Sequence, residues 1–587
     1  MRFPEEAQRG CEPAQCCRVI SPDRRRGWRS RWGWGPGSPA RAWRSCWRTL
    51  PPIPLLSLAP ILVEAIGISR GRVAAAGSRR DLDDLAGPAT RRLRLAPDLI
   101  ALPGLTDAHM HLADAALAAT QVDLTDSRTL EDGLRRIAAA HAAQRDEDAW
   151  LEGHGWDAER WGGWPEVADL QRAAPGRKAA FWAHDHHAMW ASDAALMAAG
   201  VGAGTADPAG GVIRRTADGH PAGILHEAAT SLVSAIIPRA ASDGIEAAIE
   251  RFIPGVRARG VMAVHDPGEI KADAALDGGF AAYRRLAAEG RLGVRVHACL
   301  RQEALALAED RELRSGQLLG PDPLARAHVG WLKLFADGTV GSRTAAMLEP
   351  FDREPHRPSP PGGPLGLFVT PPELLRELAA HAGAGGIATT IHAIGDRAVR
   401  IALDALAPTV GLSALVPRIE HAQLVDPADA ERFRALGVAA SMQPIHLHSD
   451  YASAQRAWGA RLPSRAYPWW LLARAGALLP FGTDAPVEPI DPWPGLVMAR
   501  TPRPIQLPGE ERPRMRSLSL GRVLRSACLD PAISAGERDR GRLVRGQRAD
   551  VVVIPRADLD RRLEPGQGRP LVQPQLVLMD GEEVFSA

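Results

Sequence analysis

Short apolar runs at residues 261–264, 332–335, 388–392, 438–442 and 479–481 alternate with alanine-rich segments long enough to be helices. That rhythm predicts parallel βα units, because a crossover helix is the usual way to return a chain to the start of a parallel neighbour. The number of units fits a closed barrel, in which functional residues gather where the strands end. The interval from about 150 to 240 breaks the rhythm; it is rich in Gly, Pro, Trp and His and reads as an inserted lobe. At both ends the pattern changes to short strands. A hairpin over 63–73 turns on Arg70 and Gly71, a strand follows at 549–554, and a second hairpin over 576–584 turns on Asp580 and Gly581. Both ends are therefore expected to build one small β domain.

Charge narrows the list of partners. The 71 basic residues nearly cancel the 69 acidic ones, leaving a formal +2, which argues for a small-molecule substrate over nucleic acid or an anionic membrane. The longest apolar candidate, 54–68, is broken by Pro60 and Glu64 and falls short of the roughly 20 residues of a membrane span. Self-association is left open. Beyond residue 50 only Cys299 and Cys528 remain, so no disulfide framework is expected and a reducing, cytoplasmic setting is the default.

The first fifty residues differ from the rest. They hold eleven arginines, five tryptophans and four cysteines without helical or strand periodicity. We read residues 1–60 as an atypical Arg/Trp/Cys-rich extension, non-native or disordered. The alternatives are a basic, aromatic nucleic-acid arm and a zinc site from Cys11, Cys16, Cys17 and Cys46, whose spacing matches no paired pattern.

Chemistry concentrates at the ends of the apolar runs. In LPGLTDAHMH (102–111), His109 and His111 are two apart and can face one ion from a strand, although two histidines on a polar strand face are also common. In WLKLFADG (331–338), Lys333 sits within an apolar strand. Only three basic residues of this chain are lysines, so a lysine here points to chemistry that arginine lacks. Desolvation favours the neutral amine, which can take up carbon dioxide to form a carbamate, an anionic bridging ligand. Snorkelling, or pairing with Asp337, is the plainer alternative. TIHAIGD (390–396), IEH (419–421) and FGTDAP (481–486) then supply His392, His421 and Asp484 in order.

With these motifs the chain resembles the metal-dependent amidohydrolases of the amidohydrolase-3 or YtcJ-like group, which includes N-substituted formamide deformylases. The resemblance runs from about residue 63 to the C-terminus and extends to GWD (155–157), GVMAVHD (260–266), the segment 333–343, QPIH (443–446) and GTDAPVEP (482–489). It implies an α/β fold: a TIM-like (β/α)8 barrel over 104–534, with the lobe at about 150–240 and a β-sandwich from 61–103 and 535–587. It implies His109, His111, Lys333, His392, His421 and Asp484 as metal ligands around two divalent ions, zinc by default and iron or manganese otherwise. Lys333 would act as a bridging carbamate formed from CO2. Asp484 would shuttle the proton of a metal-activated hydroxide attacking an amide or formamide carbonyl. An ester or a cyclic amide is the alternative substrate, and a poorly folding chain with a misassigned start the alternative to activity. Trp156, Asp157, His187, Asp337, Arg343 and His446 are candidates to contact substrate, while Trp156 can equally pack the lobe. His265 and His297 are expected in the core or behind the ligands.

Overall fold

Aspartate, proline and glycine punctuate the βα units. The helix Pro427–Leu436 begins where the Asp426 side chain accepts the Ala428 N–H and a proline fills the first turn, and it ends on Gly437 at φ 77°. The helix Asp396–Leu406 buries Ala398, Val399, Ala402, Leu403, Ala405 and Leu406, spaced three and four apart, against the sheet. The computed structural model describes residues 63–587 apart from 147, 185–187, 209–210, 239–241, 269–275, 277, 353–362, 503–514 and 561–571. The readings of residues 1–60 and of His187 lie outside the described residues.

Seven parallel strands follow one another in chain order: β1 (Leu105–Asp107), β2 (Val261–Asp266), β3 (Arg295–Arg301), β4 (Ala327–Phe335), β5 (Thr389–Ala393), β6 (Arg418–His421) and β7 (Ala439–Ser441). Residues 478–484 close the ring. The Ala440 and Met442 N–H groups donate to the Leu478 and Pro480 carbonyls at 2.9 Å, while Ala108 N–H donates to Phe481 O at 3.0 Å. One segment thus bonds to both edge strands, giving the barrel its eighth stave.

The inserted lobe carries a mixed six-stranded sheet in the spatial order Val122–Asp123, Leu151–Trp156, Ala179–Ala183, Ala188–Ala191, Pro221–Glu227, Gly211–Arg215. It starts ahead of residue 150, because the first strand and the helix Leu130–Ala143 precede the Gly- and Trp-rich stretch that marked the insertion in the sequence. The chain ends meet in β structure. Leu99–Pro103, Val551–Pro555, Leu576–Met579 and Glu582–Ser586 form a four-stranded antiparallel sheet. The hairpin Ala65–Ser69 with Arg72–Gly77 is tied to the C-terminal part through Val73 N–H to Gln547 O and Ala549 N–H to Gly71 O, both 2.9 Å. Buried Arg295 joins barrel and sheet by donating to Asp550 at 2.8 Å and Asp580 at 2.6 Å. Among the described residues no helix is long and apolar enough to cross a membrane.

Candidate metal centre

The C-terminal ends of parallel barrel strands all open on one side, so side chains far apart in sequence converge there. His109 and His111 follow β1, Lys333 lies near the end of β4, His392 on β5, His421 at the end of β6 and Asp484 on the eighth stave. All six are buried. The His421 ring lies 4.6 Å from that of His392 and 5.0 Å from that of His109. Asp484 Oδ1 lies 3.3 Å from His109 Nε2 and 3.6 Å from His111 Nε2.

Local backbone fixes this arrangement. Asp107 accepts the N–H groups of His109 at 3.1 Å and Thr483 at 3.0 Å, and the Thr483 hydroxyl at 2.7 Å, so one carboxylate staples the HxH segment to the GTDAP segment. Gly482 permits that approach, because a Cβ there would stand 2.4 Å from the His109 nitrogen. His421 and Asp484 are held at φ 70° and 69°, a left-handed conformation that non-glycine residues rarely adopt and that clusters at functional sites.

The ring nitrogens are sorted into held and open. His109 Nδ1 is held by Glu420 at 2.6 Å and His111 Nδ1 by the Gly268 carbonyl at 2.7 Å, so each ring turns Nε2 toward Asp484. His109 Nε2 and His421 Nδ1 are buried without a hydrogen bond. Ligand atoms of His109, His421 and Asp484 lie within 4.8 Å of one another. Open imidazole nitrogens facing a carboxylate, with their other nitrogens fixed from behind, fit a divalent metal ion.

Electrostatics agree with that fit. Burial drives His111 and His392 down to about 3 and His421 well below its usual range, so these rings are neutral with lone pairs to give. Burial and Lys333 act to lower His109, but Glu420 and Asp484 raise it overall; carboxylates that favour a proton at Nε2 equally favour a cation there. Burial also brings Lys333 down to about 8. The Lys333 amine makes no hydrogen bond or ion pair among the described residues, and the Asp337 pairing that the sequence left open does not form.

A family model described as the amidohydrolase family matches residues 96–585. The chain belongs to the amidohydrolase family. It is a hydrolase, 29% identical over 504 residues to the YtcJ amidohydrolase of Bacillus subtilis (strain 168), spanning 84% of this chain and 90% of that protein. It is 25% identical over 516 residues to the N-substituted formamide deformylase of Arthrobacter pascens, spanning 85% and 91%. A crystal structure of an uncharacterized metal-dependent hydrolase from Pyrococcus furiosus matches with a TM-score of 0.66 and 27% identity, over 84% of this chain and 95% of that one.

Other candidate residues of this amidohydrolase do different work. His446 reaches the site, where Nε2 meets Asp484 Oδ2 at 3.1 Å and Nδ1 meets Glu488 at 3.2 Å, so both ring nitrogens are engaged by carboxylates and the ring holds Asp484. Burial would lower its pKa, yet the two carboxylates hold it well above the ordinary value. Asp337 is not free for substrate, since its oxygens accept the N–H groups of Ala346, Ile394 and Gly395 at 2.8–3.0 Å. Arg343 packs over Phe351 and donates to the Arg456 carbonyl. Trp156 is core: it donates to Phe181 O and lies among Trp161, Trp164 and Trp190, all packing that apolar ring chemistry favours. Asp157 accepts the Arg160 N–H at the start of the short helix Ala158–Trp161. His265 and His297 lie buried in the barrel interior.

Sequence reading missed Glu420, Asp107, Arg418 and Glu488 as supports. Arg418 and Glu420 sit two apart on β6 and so share a face, a periodicity that signals a buried pair. Glu420 lies 2.6 Å from Arg418 Nε, and Arg418 stacks 3.9 Å over Trp331 and contacts His265 Nδ1 at 2.9 Å.

Proposed function

We propose that this amidohydrolase cleaves non-peptide carbon–nitrogen bonds in small amides or formamides, in a reducing, cytoplasmic setting. The observation that carries the reading is the convergence of His109, His421 and Asp484 with open donor atoms within 4.8 Å. Identity to the formamide deformylase supports the choice of bond.

His109, His111 and Asp484 would hold one divalent ion and His392 and His421 a second, zinc by default. A bound divalent ion supplies Lewis acidity, polarising a carbonyl and acidifying water. Lys333 would join the two sites as a carbamate: its neutral amine would add to carbon dioxide, an N–C bond forming as one C=O π bond opens onto oxygen, with one N–H proton passing to water. Asp484 takes the proton of the attacking water at Oδ1 and returns it to the leaving nitrogen. His446 fixes Oδ2 of Asp484, so that Oδ1 keeps one direction. Glu420 and Gly268 O fix the His109 and His111 rings from behind.

The test is a panel of N-formyl amines, linear amides, lactams and aryl esters on metal-loaded enzyme. Turnover of formamides or linear amides, lost in Asp484→Asn, supports the reading. Turnover confined to esters or lactams replaces it with the alternative bond, and no turnover of any class overturns it.

A further inference from the structure

At the barrel mouth one guanidinium has no assigned work. Arg301 ends β3, paired in register with Lys333 on β4. Side chains two apart on a strand share a face, so Arg301 lies on the same side of β3 as Cys299 and His297, the side that meets Trp331 and His265 in the barrel interior. Its guanidinium carbon stands 4.8 Å from the centre of the Phe335 ring. The same ring is 5.1 Å from Lys333 Nζ and 5.3 Å from the His392 ring. On its other side the Arg301 stem packs against Gly268, where a Cβ would come within 3.1 Å of Arg301 Cδ. Gly268 is the residue whose carbonyl holds His111. Arg301 thus spans from the support of one metal-ligand candidate to the neighbour of two others.

The Arg301 guanidinium makes no hydrogen bond or ion pair among the described residues. Asp114 and Glu303 influence it only at a distance. A largely desolvated guanidinium with no anion paired to it among the described residues is costly, and its planar fork matches a carboxylate in two parallel hydrogen bonds. We infer that Arg301 receives an anionic group of the substrate, so that the substrate class is an amide or formamide carrying a carboxylate. The inference rests on the hydrolase reading of the same site.

The probes are N-formylglycine and N-formyl-β-alanine, each beside its neutral carboxamide, titrated by calorimetry into metal-loaded enzyme. The acids are expected to bind about tenfold tighter than the amides, as a charge-assisted bidentate pair allows. Arg301→Gln is expected to bring acid and amide to within about twofold, and Arg301→Lys to keep part of the difference because it keeps the charge but loses the fork. Metal content and melting temperature should match the parent in both variants. Equal binding of acid and amide by the parent, no saturable binding of the acids, or an acid preference that survives Arg301→Gln each overturns the assignment. So does loss of metal in both variants, which would make Arg301 a support of the metal centre. Acid preference without turnover would sink the hydrolytic reading and leave Arg301's role standing; turnover of neutral formamides without acid preference would do the reverse.

Discussion

His109 Nδ1 lies 2.6 Å from Glu420 Oε2, and both side chains are wholly buried. The bond fixes the ring's tautomer and orientation, and the charge behind it makes Nε2 a better donor. Glu420→Gln keeps the shape and removes the charge. It should weaken metal binding by about 10- to 100-fold, measured as metal retained against a chelator series, with little change in far-UV circular dichroism. Full retention would reduce Glu420 to a packing role.

Lys333→Arg keeps a cation and removes the amine that can capture carbon dioxide. Protein prepared with bicarbonate should carry about two metals per chain, and the variant clearly fewer. Elemental analysis decides this. One metal in both would leave a mononuclear site and remove the bridging role of Lys333.

Gly482→Ala places a Cβ 2.4 Å from the His109 nitrogen and 2.8 Å from its Cβ. Because the neighbour is backbone, the two segments must part. The expected cost is about 1–3 kcal/mol of stability together with loss of bound metal, read by denaturant unfolding and elemental analysis. Unchanged metal content would show that the site tolerates separation of the two segments.

Outside the set of ligand candidates, Glu537 faces Arg540, with His297 and Arg295 nearby. Burial would raise its pKa, but the guanidiniums of Arg540, whose Nε donates to it at 2.8 Å, and of Arg295 bring it down to about 2 from an ordinary 4.5. A carboxyl lowered on folding stabilises the fold above its unfolded pKa and loses that contribution as pH falls through the folded one. Stability should therefore decline between about pH 4.5 and 2, by an amount on the order of 2 kcal/mol from this group. Glu537→Gln should be less stable at pH 7 and lose less on acidification. Parallel pH profiles of parent and variant in urea unfolding would contradict this.

The ligand candidates were legible because barrel geometry gives strand ends a fixed meaning: HxH, Lys, His, His and Asp, each closing an apolar run, needed only the fold to be brought together. What stayed hidden is interaction across strands. Nothing in IEH alone shows that Glu420 faces His109, which is more than three hundred residues earlier. Asp337, adjacent to a glycine after an apolar strand, has the signature of a pocket residue, yet its oxygens are spent on backbone amides of two loops. Trp156 shows the opposite ambiguity, since large aromatics mark both binding walls and cores, and neighbours from other strands decide between them. The lobe's true start was obscured because a two-residue strand such as Val122–Asp123 carries no periodicity to read.

The eighth stave bonds to β1 and to β7, and the HxH segment and Asp484 stand on either side of the joint between first and last staves. The candidate metal centre is therefore built across the seam where the two ends of the barrel meet. During synthesis no such centre exists until the chain has emerged past residue 484, and a sealed seam is the condition for its existence. A metal ion held by both sides would act as a rivet, coupling occupancy of the site to completion of the whole ring.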